Sequence, residues 1–332
     1  RLHRGKIKKM RILFLRRCEK AVILPERKDV HTMELRHVLG NTWVAEANTA
    51  LLPVYKITEK DIVLIDTGYA KLDRSGLTAM IEDNGFHLRG VICSHAHFDH
   101  SGNVRYLQQR CGARAAAHII EAGISVNPDA YRANYVALTY GKSREYFLEE
   151  CFTADAIIGP EDEYLDFCGV RFGILPLPGH SAGHIGVVTP DNVAYVGDCL
   201  LDQQQIDSAK LPTSMFIARD LQSKAFLRQT DYPAYIIAHK AVVTDKTELD
   251  ALVDSNSEFI HRKADELLED LADGMTFSQW IAAFCQRESI RTKNEFKFSI
   301  IERNFANFVD WLTDEGRVTV QREYCAKTYY HG

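Results

Sequence analysis

Ser94-His95-Ala96-His97-Phe98-Asp99-His100 follows directly on the apolar run Gly90-Val91-Ile92-Cys93 and leads into Ser101-Gly102-Asn103. Four side chains able to hold a metal ion thus fall within six residues at the end of a strand. In an extended chain, side chains repeat every two positions, so His95 and His97 point the same way and can share one ion. A turn after them can aim Asp99 and His100 at a second ion. Chance rarely builds such a run from 13 histidines in 332 residues, and a solvated His-rich turn explains it poorly.

Working outward, apolar runs at 61–66, 90–93, 115–117, 170–177, 185–189, 193–197 and 235–239 read as buried strands. Residues 74–84, 101–110 and 219–229 read as helices. Many short strands with outer helices imply a layered α/β core. Further potential ligands lie at strand ends: Pro178-Gly179-His180-Ser181-Ala182-Gly183-His184, then Gly197-Asp198-Cys199, then Ala238-His239-Lys240. Each would leave the same rim of a sheet as the histidine run. Upstream, Asp66-Thr67-Gly68 closes another strand.

Taken in this order, the motifs resemble those of the metallo-β-lactamase-fold hydrolases over about residues 40–240, most closely the glyoxalase II-like branch. The resemblance implies a four-layer αββα fold and two divalent metal ions. Carried over by motif, His95, His97 and His180 would hold one ion. Asp99, His100 and His239 would hold the other, and Asp198 would bridge them. Asp99 and Asp198 would be the catalytic carboxylates, with Asp99 guiding the nucleophile's proton. Asp66 would support the loops, and His184 would be structural or touch substrate. One departure is that His239 sits in Ile-Ile-Ala-His-Lys rather than the Gly-flanked loop common in relatives. Imidazole and carboxylate donors suit Zn²⁺, with Mn²⁺ or Fe²⁺ as alternatives.

Residues 118–153 read as a helical, tyrosine-rich insertion lying over the core, with no counterpart in the minimal fold. Tyr131 and Tyr135, spaced i and i+4, are candidates to line a pocket, against the plainer reading that they pack the insertion down. Cys199 sits beside Asp198, but neighbours on an extended chain face opposite ways, so burial is expected for it. From about 246 the texture changes: helices are expected at 247–272, 277–285 and 295–313, with Thr276 capping the second, followed by a hairpin. Three helices and a hairpin resemble a winged-helix module, so the expected domains are 1–20, 21–245 and 246–332.

Charge narrows the partners. Residues 1–20 carry nine Lys/Arg and one acid, leaving a net of −13 over the rest. The chain opens on Arg1, and Met10 heads MRILFLRR, so residues 1–9 are as readily foreign sequence as native. Residues 246–332 hold 11 basic and 16 acidic groups, which disfavours a nucleic-acid interface. A packing or homodimer-forming role is expected instead. No run approaches the roughly 18 apolar residues of a membrane span. The eight cysteines form no C-x-x-C pair, which favours a reducing, cytoplasmic setting. The expected function is hydrolysis of a small acyl substrate, such as a thioester, lactone or ester. A metal-dependent ribonuclease or phosphodiesterase, and a mononuclear iron oxygenase of the persulfide dioxygenase kind, are the alternatives.

Overall fold

A computed structural model describes residues 33–135 and 138–332; the basic segment 1–20 lies outside the described residues. The first sheet is built from β1 (Leu35–Leu39), β2 (Thr42–Glu46), β3 (Leu51–Lys56), β4 (Asp61–Ile65), β5 (His87–Cys93), β6 (Arg114–His118) and β7 (Ala156–Ile158), neighbours in that order. Its β1 to β4 pair antiparallel, and β4 to β7 pair parallel. The second sheet is built from β8 (Tyr164–Phe167), β9 (Val170–Pro176), β10 (Ile185–Val188), β11 (Val193–Tyr195), β12 (Ala234–Ile237) and β13 (Ala241–Val243). Its strands run in the reverse order, and only β11 and β12 are parallel.

Alternation along the strands separates two cores. On β4, Val63 and Ile65 face the second sheet while Ile62 and Leu64 face outward; on β5, Ile92 faces inward while Val91 and Cys93 face outward. The inward set meets Phe172, Ile174, Val187, Tyr195 and Ile236 of the opposing sheet. Each such fully buried aliphatic residue contributes about 1.5–3 kcal/mol. The helices Ala70–Asp83 and Val104–Cys111 cover the first sheet through Leu77, Met80, Val104 and Leu107. Leu227 of the helix Ile217–Arg228, with Leu249 and Val253 of the helix Lys246–Glu269, covers the second. The result is the four-layer αββα sandwich expected from the sequence.

Several elements differ from expectation. Strands β1 to β3 have no counterpart among the expected runs; Pro53 lies within β3, opposite Val44, and proline demotes a run from the strand class. The helix expected at 101–110 is two, Phe98–Ser101 and Val104–Cys111. Between them Asn103 turns back, its Nδ2 donating to the Thr67 carbonyl at 2.8 Å.

The segment 118–153 does fold as helices, Ile119–Ser125, Pro128–Asn134 and Tyr140–Phe147, after β6 ends at His118. Phe147 stacks on both Phe98 and Tyr131, with ring centroids at 4.9 and 5.0 Å, and those two rings also touch at 5.4 Å.

In the tail, Thr276 and Gln279 form a reciprocal capping box opening the helix Phe277–Arg287. The helix Glu295–Asp314 follows, then β15 (Val318–Glu323) and β16 (Ala326–His331), which form one small sheet with the short β14 (Met275–Thr276). The 24-residue helix Lys246–Glu269 serves two cores. Its first half packs on the second sheet, and Ile260, Ala264 and Leu267 join Trp280, Phe284, Phe305 and Phe308 in a separate cluster. Among the described residues no helix is long and apolar enough to cross a membrane.

Candidate metal centre

The strand ends bring together the side chains singled out above. Donor atoms of His95, His97, His180 and Asp198 lie within 4.8 Å of one another, as do those of Asp99, His100, Asp198 and His239. Asp198 belongs to both groups: its Oδ2 is 3.3 Å from His180 Nε2, while its Oδ1 is 3.2 Å from His100 Nε2 and 3.1 Å from His239 Nε2. Asp99 Oδ2 stands 3.8 Å from the Nε2 atoms of both His100 and His239.

The outer nitrogens explain which atoms face inward. His180 Nδ1 is 2.9 Å from the Thr213 carbonyl, His239 Nδ1 is 2.8 Å from the Thr49 carbonyl, and His100 Nδ1 is 2.9 Å from Asp66 Oδ2. A carbonyl only accepts, so the first two rings carry a proton on Nδ1 and turn Nε2 to the centre. Such partners fix tautomer and ring orientation in metal sites. His97 presents Nδ1, 2.9 Å from His180 Nε2.

His95 Nε2 is buried without a hydrogen bond, and His100 Nε2 and Asp198 Oδ1 are buried with a close approach to each other but no well-aligned hydrogen bond. Buried polar atoms are otherwise almost always satisfied. Five imidazoles and two carboxylates converging on unsatisfied buried atoms fit a pair of divalent cations.

Electrostatics divides the histidines. Burial pushes His95 well below the usual imidazole range, and brings His97 and His180 down to about 3 despite the pull of Asp198. These three are neutral, as ligands must be. Burial also works against the charged form of His100 and His239, but Asp198 and Asp99 overcome it. They lift His100 well above the ordinary value and His239 to about 9. Asp198 in turn is held well below the carboxylate range by His100, His239 and His180, against its own burial. The Asp198 side of the cluster therefore attracts positive charge.

Surrounding groups brace the centre. Asp66, fully buried, accepts from the Ser94 amide at 2.8 Å, the Ser94 hydroxyl at 2.6 Å and the Tyr195 hydroxyl at 2.7 Å. It sits at φ 61, a left-handed conformation that aspartate tolerates better than most residues. His184 stands outside both groups; its Nε2 accepts from the Asp198 amide at 3.1 Å and so holds the turn Gly197–Cys199. A Cβ at Gly197, φ 52, would lie 2.6 Å from that same Nε2, so glycine is required there. The loop before His239 lacks glycine, and Lys240 takes φ 79.

Two further acids give no sign in the sequence. Glu121, buried, accepts from the Ala96 amide, the Ser181 hydroxyl and the Gly183 amide, each at 2.8 Å, tying the His95–His97 loop to the His180 loop. Asp73 accepts from the Asn48 amide at 2.8 Å, the Thr49 hydroxyl at 3.3 Å and the Tyr69 amide at 2.7 Å. It thereby anchors the loop whose Thr49 carbonyl orients His239. Neither has a local signal, because the partners that matter are remote in sequence.

A cavity of about 300 Å³ opens on His97, Asp99, His180, Asp198 and His239. Tyr135 lines it, with its ring 4.4 Å from that of His97. Tyr131 does not line it; it is fully buried in the aromatic cluster behind, so the packing reading holds for that tyrosine rather than a substrate contact. Cys199 is likewise buried, among Leu200, Leu227 and Tyr235. Burial raises its thiol to about 12, away from thiolate chemistry.

Comparison with known proteins agrees with this architecture. The model of the metallo-beta-lactamase superfamily matches residues 53–242. Hydroxyacylglutathione hydrolase GloC of Haemophilus influenzae is 30% identical over 145 residues, covering 43% of this chain and 62% of that protein. The hydroxyacylglutathione hydrolase of Ectopseudomonas mendocina is 28% identical over 130 residues, 39% of each chain. The chain thus spans less than two thirds of the length of these curated relatives. A metallo-beta-lactamase family protein of Thermus thermophilus matches 91% of this chain and 99% of its own, at 17% identity and TM-score 0.65. A beta-lactamase domain protein of Burkholderia ambifaria matches 92% and 97%, at 13% identity and TM-score 0.66. These two likenesses bear on the fold alone. With more than half its length matched by the family model, and a two-sheet core of the same architecture, the chain belongs to the metallo-beta-lactamase superfamily.

Proposed function

We propose that the protein is a dinuclear metal-dependent hydrolase acting on a small acyl substrate, a thioester, lactone or related ester. The observation that carries this reading is the shared Asp198, flanked by two sets of converging donors, with the outer nitrogens of His180, His239 and His100 already committed. His95, His97 and His180 would hold one cation, Asp99, His100 and His239 the other, and Asp198 both. Zn²⁺ is proposed ahead of Mn²⁺ or Fe²⁺ on the donor types. Bound there, divalent cations supply Lewis acidity toward a scissile carbonyl and bring the pKa of water to about 7.

The chain's own groups do the rest. Asp99 is the most open member, its side chain 38% exposed toward the cavity, and is placed to take and return a proton. Asp198, fixed through its backbone by His184, keeps the two halves in register. Tyr135 and the cavity walls exclude water from the acyl group. The relatives named as hydroxyacylglutathione hydrolases support the thioester class. We read the C-terminal region as winged-helix-like, on its three helices and small antiparallel sheet. A reducing, cytoplasmic setting is proposed because the described cysteines are free thiols.

The test is elemental analysis of protein purified without added metal or chelator, paired with a screen of esters, thioesters and lactones. About two zinc or manganese per chain and chelator-sensitive hydrolysis are expected. One iron per chain, retained in His239→Ala, would sink the dinuclear reading.

A further inference from the structure

The cavity wall carries information about substrate that the metal ligands do not. Its apolar part includes Tyr135, Leu201, Leu211, Phe259, Ile260 and Ile300. Phe259 and Ile260 come from the helix Lys246–Glu269, and Ile300 from the helix Glu295–Asp314, so the C-terminal region closes the site. Among the described lining residues the single lysine or arginine is Lys224. That lysine is 4% exposed, and its Nζ lies 2.5 Å from Asp220 Oδ1. The pair is one helical turn apart and mutually neutralised. The polar amide of Asn256 is also spent: it bonds the amide and carbonyl of Leu201, both at 2.9 Å.

We infer that the cavity takes an uncharged, short acyl group against the C-terminal helices and selects against substrates bearing an anionic group at that wall. The inference rests on the hydrolase reading for its chemistry, though not for the selectivity itself. A carboxylate pushed into this wall would lose its water and meet no free cation among the described residues, which costs more than hydrogen bonding to its neighbours returns. Apart from the ligands, the other charges among the described lining residues belong to the closed Asp220–Lys224 pair. Anionic attraction is confined to the floor, where the seven donors converge, and that is where the oxyanion of an acyl transfer develops rather than where the acyl chain lies. The same absence of a basic track disfavours a phosphodiester strand.

The test uses the full-length, metal-loaded protein and two ligands of matched length that anchor at the metals, butyrohydroxamic acid and succinic monohydroxamic acid. Calorimetric titration is expected to give at least tenfold weaker binding for the succinic compound. Equal or tighter binding of it overturns the inference. Ile300→Lys places a cation on a half-buried part of the wall and is expected to narrow or reverse the gap. Asp220→Asn, which releases Lys224, is a second route to the same change should the first variant misfold. A gap unchanged in both folded variants also overturns the inference. Hydrolysis of butyryl and succinyl thioesters is measured alongside. Cleavage of neither, with the binding gap intact, removes the hydrolase reading and leaves the selectivity of the cavity standing.

Discussion

Asn307, on the helix Glu295–Asp314, donates its side-chain amide to the Ser214 carbonyl at 2.8 Å, one residue beyond the Thr213 carbonyl that orients His180. Asn304, one turn earlier, donates to the Thr213 hydroxyl at 3.2 Å. The C-terminal region therefore reaches a candidate ligand through one loop. Outer partners of ligating histidines are worth about 10- to 100-fold in metal affinity. Asn307→Ala acts one step further out than such a partner, so it is expected to weaken metal binding by less than that range, roughly a few-fold, while costing about 1 kcal/mol of stability. Competition against a chromophoric chelator reads the first and urea unfolding the second. Wild-type metal affinity in the Asn304→Ala/Asn307→Ala double variant would show that the tail does not position His180.

The two groups of donors should be separable. His180→Ala removes a donor from one group only, and His239→Ala from the other only. Each is expected to retain close to one metal per chain after dialysis, about half the wild-type content on the dinuclear reading. Asp198→Ala takes a donor from both groups and should lose both ions, with hydrolysis falling by a factor on the order of 10³. Elemental analysis of the three variants checks this. Two ions retained by His239→Ala would remove that histidine from the ligand set.

Glu121 is the clearest structural acid in the site. Glu121→Ala leaves the Ala96 amide, the Gly183 amide and the Ser181 hydroxyl buried without their acceptor. A cost of about 3 kcal/mol is expected from those stranded donors. Glu121→Gln keeps one carbonyl oxygen and turns an amide toward a donor, so about half that loss is expected. Because Glu121 joins the loops that carry His95, His97 and His180, metal affinity should fall along with stability. Urea midpoints within error of wild type for Glu121→Ala would show that the bridge is incidental.

Much of the centre is legible in the sequence because its chemistry is local. His95, His97 and His100 declare themselves through spacing at a strand end, and Asp66 through its place after β4. Thr276 announces its helix through the capping position. Glu121 cannot be read in this way, since its bonds reach 25 residues back to Ala96 and 60 forward to Ser181. Tyr131 and Tyr135 look alike in sequence, one turn apart on a helix. Only the packing of Phe147 against the first ring separates the buried tyrosine from the one on the cavity wall. Strand β3 is hidden by Pro53, which nonetheless sits in the ladder opposite Val44 of β2. The sequence places His239 in a loop without glycine, and the structure meets the geometry by holding Lys240 at φ 79.

Acid should act on the C-terminal region through Glu266. Its carboxylate bonds Lys263 Nζ at 2.7 Å, Arg287 Nη1 at 2.9 Å and Arg262 Nη1 at 3.0 Å. Burial would raise its pKa, but these three cations overcome that and bring it down to about 2, from an ordinary 4.5. The unfolded chain therefore takes up the proton first as pH falls. The stabilisation is fully present above the unfolded value, fades below about 4.5, and is gone once pH passes below about 2. Solvent screening of this partly exposed cluster limits it to about 1 kcal/mol. Glu266→Gln should lower the unfolding free energy from urea titration at pH 7 by that amount and flatten its dependence on pH between roughly 5 and 2. Other carboxylates also titrate there, so the quantity to compare is the wild-type minus variant difference across pH. A difference that stays constant from pH 7 to pH 2 would assign the loss to packing of the Glu266 stem and not to its charge.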